Sequence, residues 1–404
     1  MRICKHRCSH KQLDLTRIAS PSLTALMLPD WLLLISIAMI VYTWIGYPVI
    51  LTVLAALRRR RVDASHAGPT ALVSIIVPVH NEQNTIVRKI EDCLALDYPR
   101  DKIEIIIVSD NSADRTQELV SGYCAQDSRI RWIASDHRAG KSGVQNLAAS
   151  HARGDLFFFT DASTTTSRGV LRKMIERFDD LAVGLVTATV LFGDPGDAIE
   201  KGQGAYWRYE LLLRSLESDL GTLATGSGQA LLVRRELFRP LPACYGDDCI
   251  MPLDVRLQGY RVVQDRDAVV FDTMPHSIEG ELRARVRMTA RNWAGTLSRP
   301  KILDPFRFPF TALGLVSHKL LRWLTPFFLG MVLTSSVWRA VEGRAVILLW
   351  LQAGFYFSAF VGWEFARKQR AAGVFGYAFS FCLANIGFLL GMIKAFRNQK
   401  IVAY

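Results

Sequence analysis

Four nearly uncharged apolar runs, at residues 31–57, 320–338, 345–363 and 374–393, limit what this chain can fold into more than any other feature. Each is close to the roughly 20 residues that a helix needs to cross the hydrocarbon core of a bilayer. Any one of them could be a buried core helix. Four of them, confined to the two ends of a 404-residue chain, read instead as membrane spans. The stretch between the first and second runs has ordinary soluble composition. The expected organisation is a doubtful N-terminal extension (1–26), a transmembrane helix with a basic flank (27–61), a soluble domain (64–300), and an interfacial segment followed by about three transmembrane helices (301–404). Arg322 interrupts the second run near its start.

Basic residues collect on the cytoplasmic side of a membrane. Arg58, Arg59, Arg60 and Arg61 follow the first run, and Arg367, Lys368 and Arg370 follow the third, so the soluble domain is expected in the cytoplasm. Arg2, Lys5, Arg7, Lys11 and Arg17 pull the other way. That conflict disappears if translation begins at Met27, where "MLPDWLLL" opens directly into the helix. With three spans after the domain, Lys394, Arg397 and Lys400 would lie outside, against the charge rule. The net charge of +12 gathers beside the spans and in "RARVRMTAR" (283–291), which suits anionic lipid headgroups or phosphorylated substrates. No aromatic stacking positions are interleaved with these arginines, so no nucleic acid partner is expected. Seven cysteines without a C-x-x-C spacing read as reduced thiols.

Inside the soluble stretch, short β-branched and aromatic runs alternate with helical patterns. "VSIIVPV", "IEIIIVS", "IRWIAS" and "GDLFFFT" read as buried strands. Between the first two, Ile86, Ile90, Cys93 and Leu94 recur at helix spacing, and "GKSGVQNLAASHA" reads as a further helix. Strands alternating with helices imply crossover units and a mostly parallel, Rossmann-like sheet. In such sheets ligands bind beyond the carboxyl ends of the strands. Asn81 and Glu82 follow the first strand, Asp110 the second and Asp161 the fourth, while Lys141 opens the helix after the third. Any one acid could be a helix cap, Asp110 before "NSADRT" above all. Neither G-x-G-x-x-G after the first strand nor a complete P-loop is present, which removes the dinucleotide oxidoreductase and P-loop NTPase signatures.

Five segments in order carry a resemblance: "VSIIVPVHNEQNTI", "DYPRDKIEIIIVSDNSADRT", "AGKSGVQNLAASHARGDLFFFTDAS", "TGSGQALLVRRELF" and "GDDCIMPLDVRLQGYRVV". Over residues 73–293 the chain resembles the inverting family 2 glycosyltransferases of GT-A fold, notably the membrane-bound bacterial type that makes surface polysaccharides. "SHKLLRWLTPF" resembles the start of that family's C-terminal membrane helices. The resemblance implies an α/β GT-A domain with about four transmembrane helices, held in the bacterial inner membrane. It implies transfer of a sugar from a nucleotide sugar, usually a UDP-sugar, to a lipid-linked saccharide acceptor among membrane lipids.

Site residues follow from the same resemblance. Pro78, Val79, Asn81 and Glu82 would line the uridine site, with Glu82 accepting from the ribose and Asp110 from the uracil N3–H. Lys141 would lie near the diphosphate. Asp161 matches the first acid of the family's Asp-x-Asp, and Ser163 stands in place of the second. One carboxylate still suits Mg²⁺ or Mn²⁺, because diphosphate oxygens and water complete the shell of a hard cation. Asp248 matches the general base and Asp247 is its charged neighbour. The Gln-x-x-Arg-Trp of processive members is broken: aligned on Arg291, Met288 replaces the glutamine and Asn292 the tryptophan. Arg287 and Arg291, a turn apart, could both face the diphosphate, or the helix could lie on lipid headgroups. The broken motif favours single-sugar addition. A processive polysaccharide synthase and a catalytically inactive membrane scaffold are the alternatives.

Overall fold

The computed structural model describes residues 23–57, 71–193, 204–273, 277–344, 346–368, 370 and 372–397. Most of the 1–26 extension, the four arginines at 58–61 and Lys400 fall outside them.

One eight-stranded sheet organises the soluble part, in the order β3-β2-β1-β4-β7-β6-β8-β5. β1 (Val73–Val79), β2 (Ile103–Ser109), β3 (Ile130–Ala134) and β4 (Leu156–Thr160) form its parallel half, as the alternation predicts. β1 and β2 are buried along their full length, which explains their continuous apolar runs. Gly154 is required here, because a Cβ at that position would meet the Ser74 nitrogen at 2.5 Å.

The other half is mixed. β7 (Ala230–Arg234) runs antiparallel to both β4 and β6 (Val183–Phe192). β6 pairs in parallel with β8 (Arg261–Asp272), whose far edge takes the two-residue strand β5 (Thr165–Thr166). A mostly parallel sheet is thus accurate for the first half and incomplete for the second. There β7, which follows the helix Gly204–Leu220 and the glycine-rich turn at 225–229, enters between β4 and β6 and runs antiparallel to both.

Among the described residues, three helical stretches are long and apolar enough to cross a membrane: Leu28–Leu57, Pro309–Val341 and Gly373–Phe396. The run at 320–338 is therefore the later part of a longer segment, broken by a π turn at Leu315–Leu320. The run at 345–363 forms a 21-residue helix, Ile347–Arg367, which carries Gln352 and Glu364 and is not one of those three. The helix Ile278–Leu297, the arginine-rich segment, packs along the last of them. Gly387 and Gly391 allow that approach, since a Cβ at Gly391 would meet Thr289 Cβ at 2.6 Å.

The soluble domain is joined to the apolar helices by a buried charge network. The helix Gly204–Leu220 contributes Glu210 and Glu217. Glu210 accepts from Lys319 Nζ at 2.6 Å and Arg322 Nη1 at 2.5 Å. His318 bridges the two carboxylates, 2.7 Å from Glu217 and 3.1 Å from Glu210, and the Tyr47 hydroxyl donates to Glu217 at 2.9 Å. Arg322, an anomaly in the sequence, thus has a specific partner.

Candidate active site

The site is built at the carboxyl ends of β1, β2, β4 and β8. After β1 and β2 the chain turns sharply, and Asn81 (φ 56°) and Asn111 (φ 55°) take left-handed backbone conformations that asparagine tolerates better than most residues. Asn81 Oδ1 accepts from the Ala113 N–H at 2.9 Å, tying the two turns together. Glu82 accepts from the Thr85 hydroxyl, and its own N–H donates to Thr116 Oγ1 at 2.9 Å. Pro78 lies within β1, and Val79 packs its side chain into the hydrophobic core, so only backbone atoms of Val79 face the turn.

Asp110 is fully buried, and it does not cap the helix that follows it in sequence. Asp114 accepts from the N–H of Thr116, the first residue of that helix, at 3.1 Å. Asp110 instead reaches across to the helix Gly140–His151, accepting from the Ala139 and Gly140 N–H groups at 2.6 and 3.0 Å. Arg138 pairs with its other oxygen at 3.2 Å. The acid thereby fixes the start of the helix that carries Lys141.

Lys141 sits at the centre. Its Nζ lies 2.6 Å from Asp161 and 3.0 Å from Asp247. Burial would lower the lysine pKa, but the two carboxylates outweigh it and raise it above the usual lysine range. Burial, helped by the charges of Asp247 and Asp272, pushes Asp161 upward despite Lys141. Burial also opposes ionisation of Asp247. Lys141 and the Gln145 amide, which donates at 2.9 Å, outweigh it and hold Asp247 below the usual carboxylate range. Gly228 fits beside this pair because it has no side chain: a Cβ there would lie 3.3 Å from Asp247 Oδ1.

Asp248 is the counterpart. Burial and then the charge of Asp247 raise its pKa above the ordinary aspartate value. Asn292 Nδ2 lies 3.4 Å from its Oδ2, so the residue in the tryptophan's place faces the candidate base. Arg291 is buried and donates to the Tyr245 carbonyl, and its charge acts on both Asp247 and Asp248. Arg287 is exposed on the same helix, and Met288 is 52% exposed. Trp293 packs edge-on against Trp323 and Phe396. The helix therefore presents its arginines differently, with Arg291 inward and Arg287 outward.

The structure adds Asp272, which the motifs do not flag. Its carboxylate accepts from Gln229 Nε2 at 3.0 Å and faces Ser163 Oγ at 3.4 Å. A signal exists in the sequence: "VVFD" ends β8 with one acid after an apolar run, as "FFFTD" ends β4. No group of three or more His, Cys, Asp or Glu side chains suited to holding a cation occurs among the described residues. Asp161, Ser163 and Asp272 nevertheless offer hard oxygens from adjoining segments. That donor set fits a divalent cation whose remaining ligands come from a diphosphate and water.

Residues 74–241 match the family model "Glycosyl transferase family 2". An N-acetylglucosaminyltransferase of Rhizobium meliloti is 27% identical over 278 residues, covering 64% of this chain and 60% of that protein. The succinoglycan biosynthesis protein ExoO of the same organism is 38% identical over 107 residues, covering 26% of this chain and 30% of its own. The chain thus spans less than two thirds of the length of these relatives. Its structure superimposes on a mannosyltransferase of Pyrobaculum calidifontis, solved with GDP-Man and Mn²⁺, with a TM-score of 0.72. That match covers 91% of this chain and 99% of the other at 21% identity, which establishes a shared fold. The chain carries a glycosyltransferase family 2 domain built on the GT-A fold.

Proposed function

We propose that the protein is a membrane-bound glycosyltransferase that moves a sugar, with inversion, from a UDP-sugar to a lipid-linked saccharide acceptor in surface polysaccharide synthesis. Residues 64–300 form the catalytic domain, on the cytoplasmic side of an inner membrane. One observation carries the reading. A half-buried aspartate with a raised pKa, Asp248, stands next to Asp247 of the lysine–carboxylate centre at the strand ends, on a helix packed against the membrane-proximal helix Ile278–Leu297.

In this reading Glu82 and Asp110 mark the nucleoside end of the donor site, and Lys141 and Arg291 face the diphosphate with Arg287 at its rim. Asp161, Ser163 and Asp272 would hold Mg²⁺ or Mn²⁺, which, when bound, supplies Lewis-acid stabilisation of the leaving diphosphate. Asp248 takes the proton from the attacking acceptor hydroxyl, on the face opposite the leaving group. Its raised pKa brings its basicity nearer to that task. Asp247 stays ionised because Lys141 and Gln145 stabilise its charge, and that charge keeps Asp248 basic. Ser163 is what favours an inactive scaffold. Asp272 weighs against that, because it offers a second carboxylate beside Ser163.

The test is nucleotide release by the detergent-purified full chain, from a panel of nucleotide sugars with a membrane lipid extract as acceptor source. Release of UDP from one donor supports the reading, whereas absence of both turnover and UDP binding sinks it. The cation site has its own prediction. Asp161→Asn and Asp272→Asn should each lower the metal-dependent rate at least about a hundredfold. Each should also abolish the extra thermal stabilisation that Mn²⁺ gives in the presence of UDP. An unchanged Mn²⁺-induced shift in both variants would remove these residues from the site.

A further inference from the structure

Arg214 lies in the middle of the helix Gly204–Leu220 and is 3% exposed. Its Nη1 donates to Ser227 Oγ at 2.8 Å, while its Nε and Nη2 have no hydrogen-bond partner among the described residues. The charges of Glu210, Asp248 and Glu217 reach it through space. A buried guanidinium carrying unsatisfied N–H groups costs stability, since each such donor forfeits its hydration without replacement.

Ser227 belongs to the turn at 225–229, and that turn is tied to Asp248. The Gly226 N–H donates to the Asp248 carbonyl at 2.8 Å, and the Ser227 N–H donates to Thr187 Oγ1 at 2.9 Å. Two further donors are also unsatisfied: the Thr225 hydroxyl in this turn, and Nε of Arg291, which bonds the Tyr245 carbonyl through Nη2 and whose charge acts on Asp248. Two arginines whose fields act on Asp248, each with a spare N–H, point to a ligand that brings its own negative charge. Planar guanidinium donors match phosphate oxygens bidentately.

We infer that Arg214 is an anion subsite beside Asp248, binding a phosphate oxygen of a substrate through its two unpartnered nitrogens. The inference rests on the glycosyltransferase reading above. The phosphate has two sources of the same chemistry, the donor diphosphate and the phosphate of a lipid-linked acceptor. A phosphate brought close to Asp247 and Asp248 would be repelled without such a buried cation, which gives Arg214 a function that a purely structural arginine lacks.

The test uses the full chain in detergent, with binding of inorganic pyrophosphate, UDP and micelles doped with an isoprenyl phosphate followed by thermal shift. Arg214→Met should be at least as stable as wild type without ligand, because it relieves an uncompensated buried charge. Its affinity for the phosphate ligand should fall roughly tenfold or more. Loss toward UDP and pyrophosphate assigns the subsite to the donor. Loss toward isoprenyl phosphate alone assigns it to the acceptor. If Arg214→Met does not accumulate, Arg214→Lys, which keeps the charge but loses the fork, is read the same way. Unchanged affinities for all three ligands, or a less stable variant that binds them normally, overturn the inference while leaving the transferase reading intact. A wild type that binds none of the three overturns both.

Discussion

Asp248→Asn is expected to lower kcat by between about a hundredfold and ten-thousandfold, the range that loss of a general base commands. UDP affinity should stay within roughly a factor of three, because Asp248 touches Asn292 rather than the Lys141 centre. Burial and Asp247 raise the pKa of Asp248, so its basic form is populated only above the ordinary aspartate range. The acid limb of the rate profile should therefore lie above that range in wild type and be absent from the residual activity of the variant. Stability should move the other way. A carboxyl whose pKa is raised by folding contributes stability at low pH that is lost as pH rises through the folded value. At neutral pH the ionised Asp248 therefore destabilises the fold, and Asp248→Asn should melt no lower than wild type. A variant that keeps full turnover, or that loses UDP binding together with activity, would remove Asp248 from the role of base.

The second large effect lies away from the chemistry. Glu210→Gln is expected to destabilise the protein by about 3–5 kcal/mol, since it takes the carboxylate partner from the buried Arg322 and the half-buried Lys319. Denaturation of the detergent-solubilised chain would read this directly. Burial opposes ionisation of Glu210, but the surrounding cations, Lys319 foremost, hold its pKa well below the usual glutamate range. Stability from such a group is fully present above the unfolded-state pKa and is lost as pH falls through the folded one. The gap between wild type and variant should thus be constant near neutrality and close only in acid. Glu217→Gln should cost less, because Glu217 engages His318 and Tyr47 but neither Lys319 nor Arg322. Equal losses from the two variants would contradict the charge assignment.

Much of this architecture follows from local pattern. The runs at 73–79 and 103–109 form strands with the bounds that their β-branched composition implies, because strands buried on both faces need uninterrupted apolar sequence. The strand-end acids and Lys141 converge because parallel crossover units place every such end on one edge. The apolar runs announce helices by length alone, although only three of the helical stretches are long and apolar enough to cross a membrane among the described residues, and Ile347–Arg367 is not one of them.

Contacts between distant segments were decided by tertiary structure. Asp110 looks like a cap for its own loop, yet it fixes the start of the helix of Lys141, because β2 and β3 pair in parallel and place the turns after them side by side. Asp272 and Arg214 belong to no sequence motif. One reaches Ser163 because β5 pairs antiparallel with the end of β8, and the other reaches the glycine turn from the helix Gly204–Leu220 through its bond to Ser227. Arg322 breaks an apolar run in the sequence and becomes intelligible only beside Glu210, some hundred residues away. Periodicity and strand-end chemistry depend on neighbours along the chain, so the sequence determined the elements and the edge on which the candidate site lies. Charge pairing and unsatisfied donors depend on neighbours in space, and those were settled only when the strands assembled into one sheet and the long apolar helices packed against Gly204–Leu220 and Ile278–Leu297.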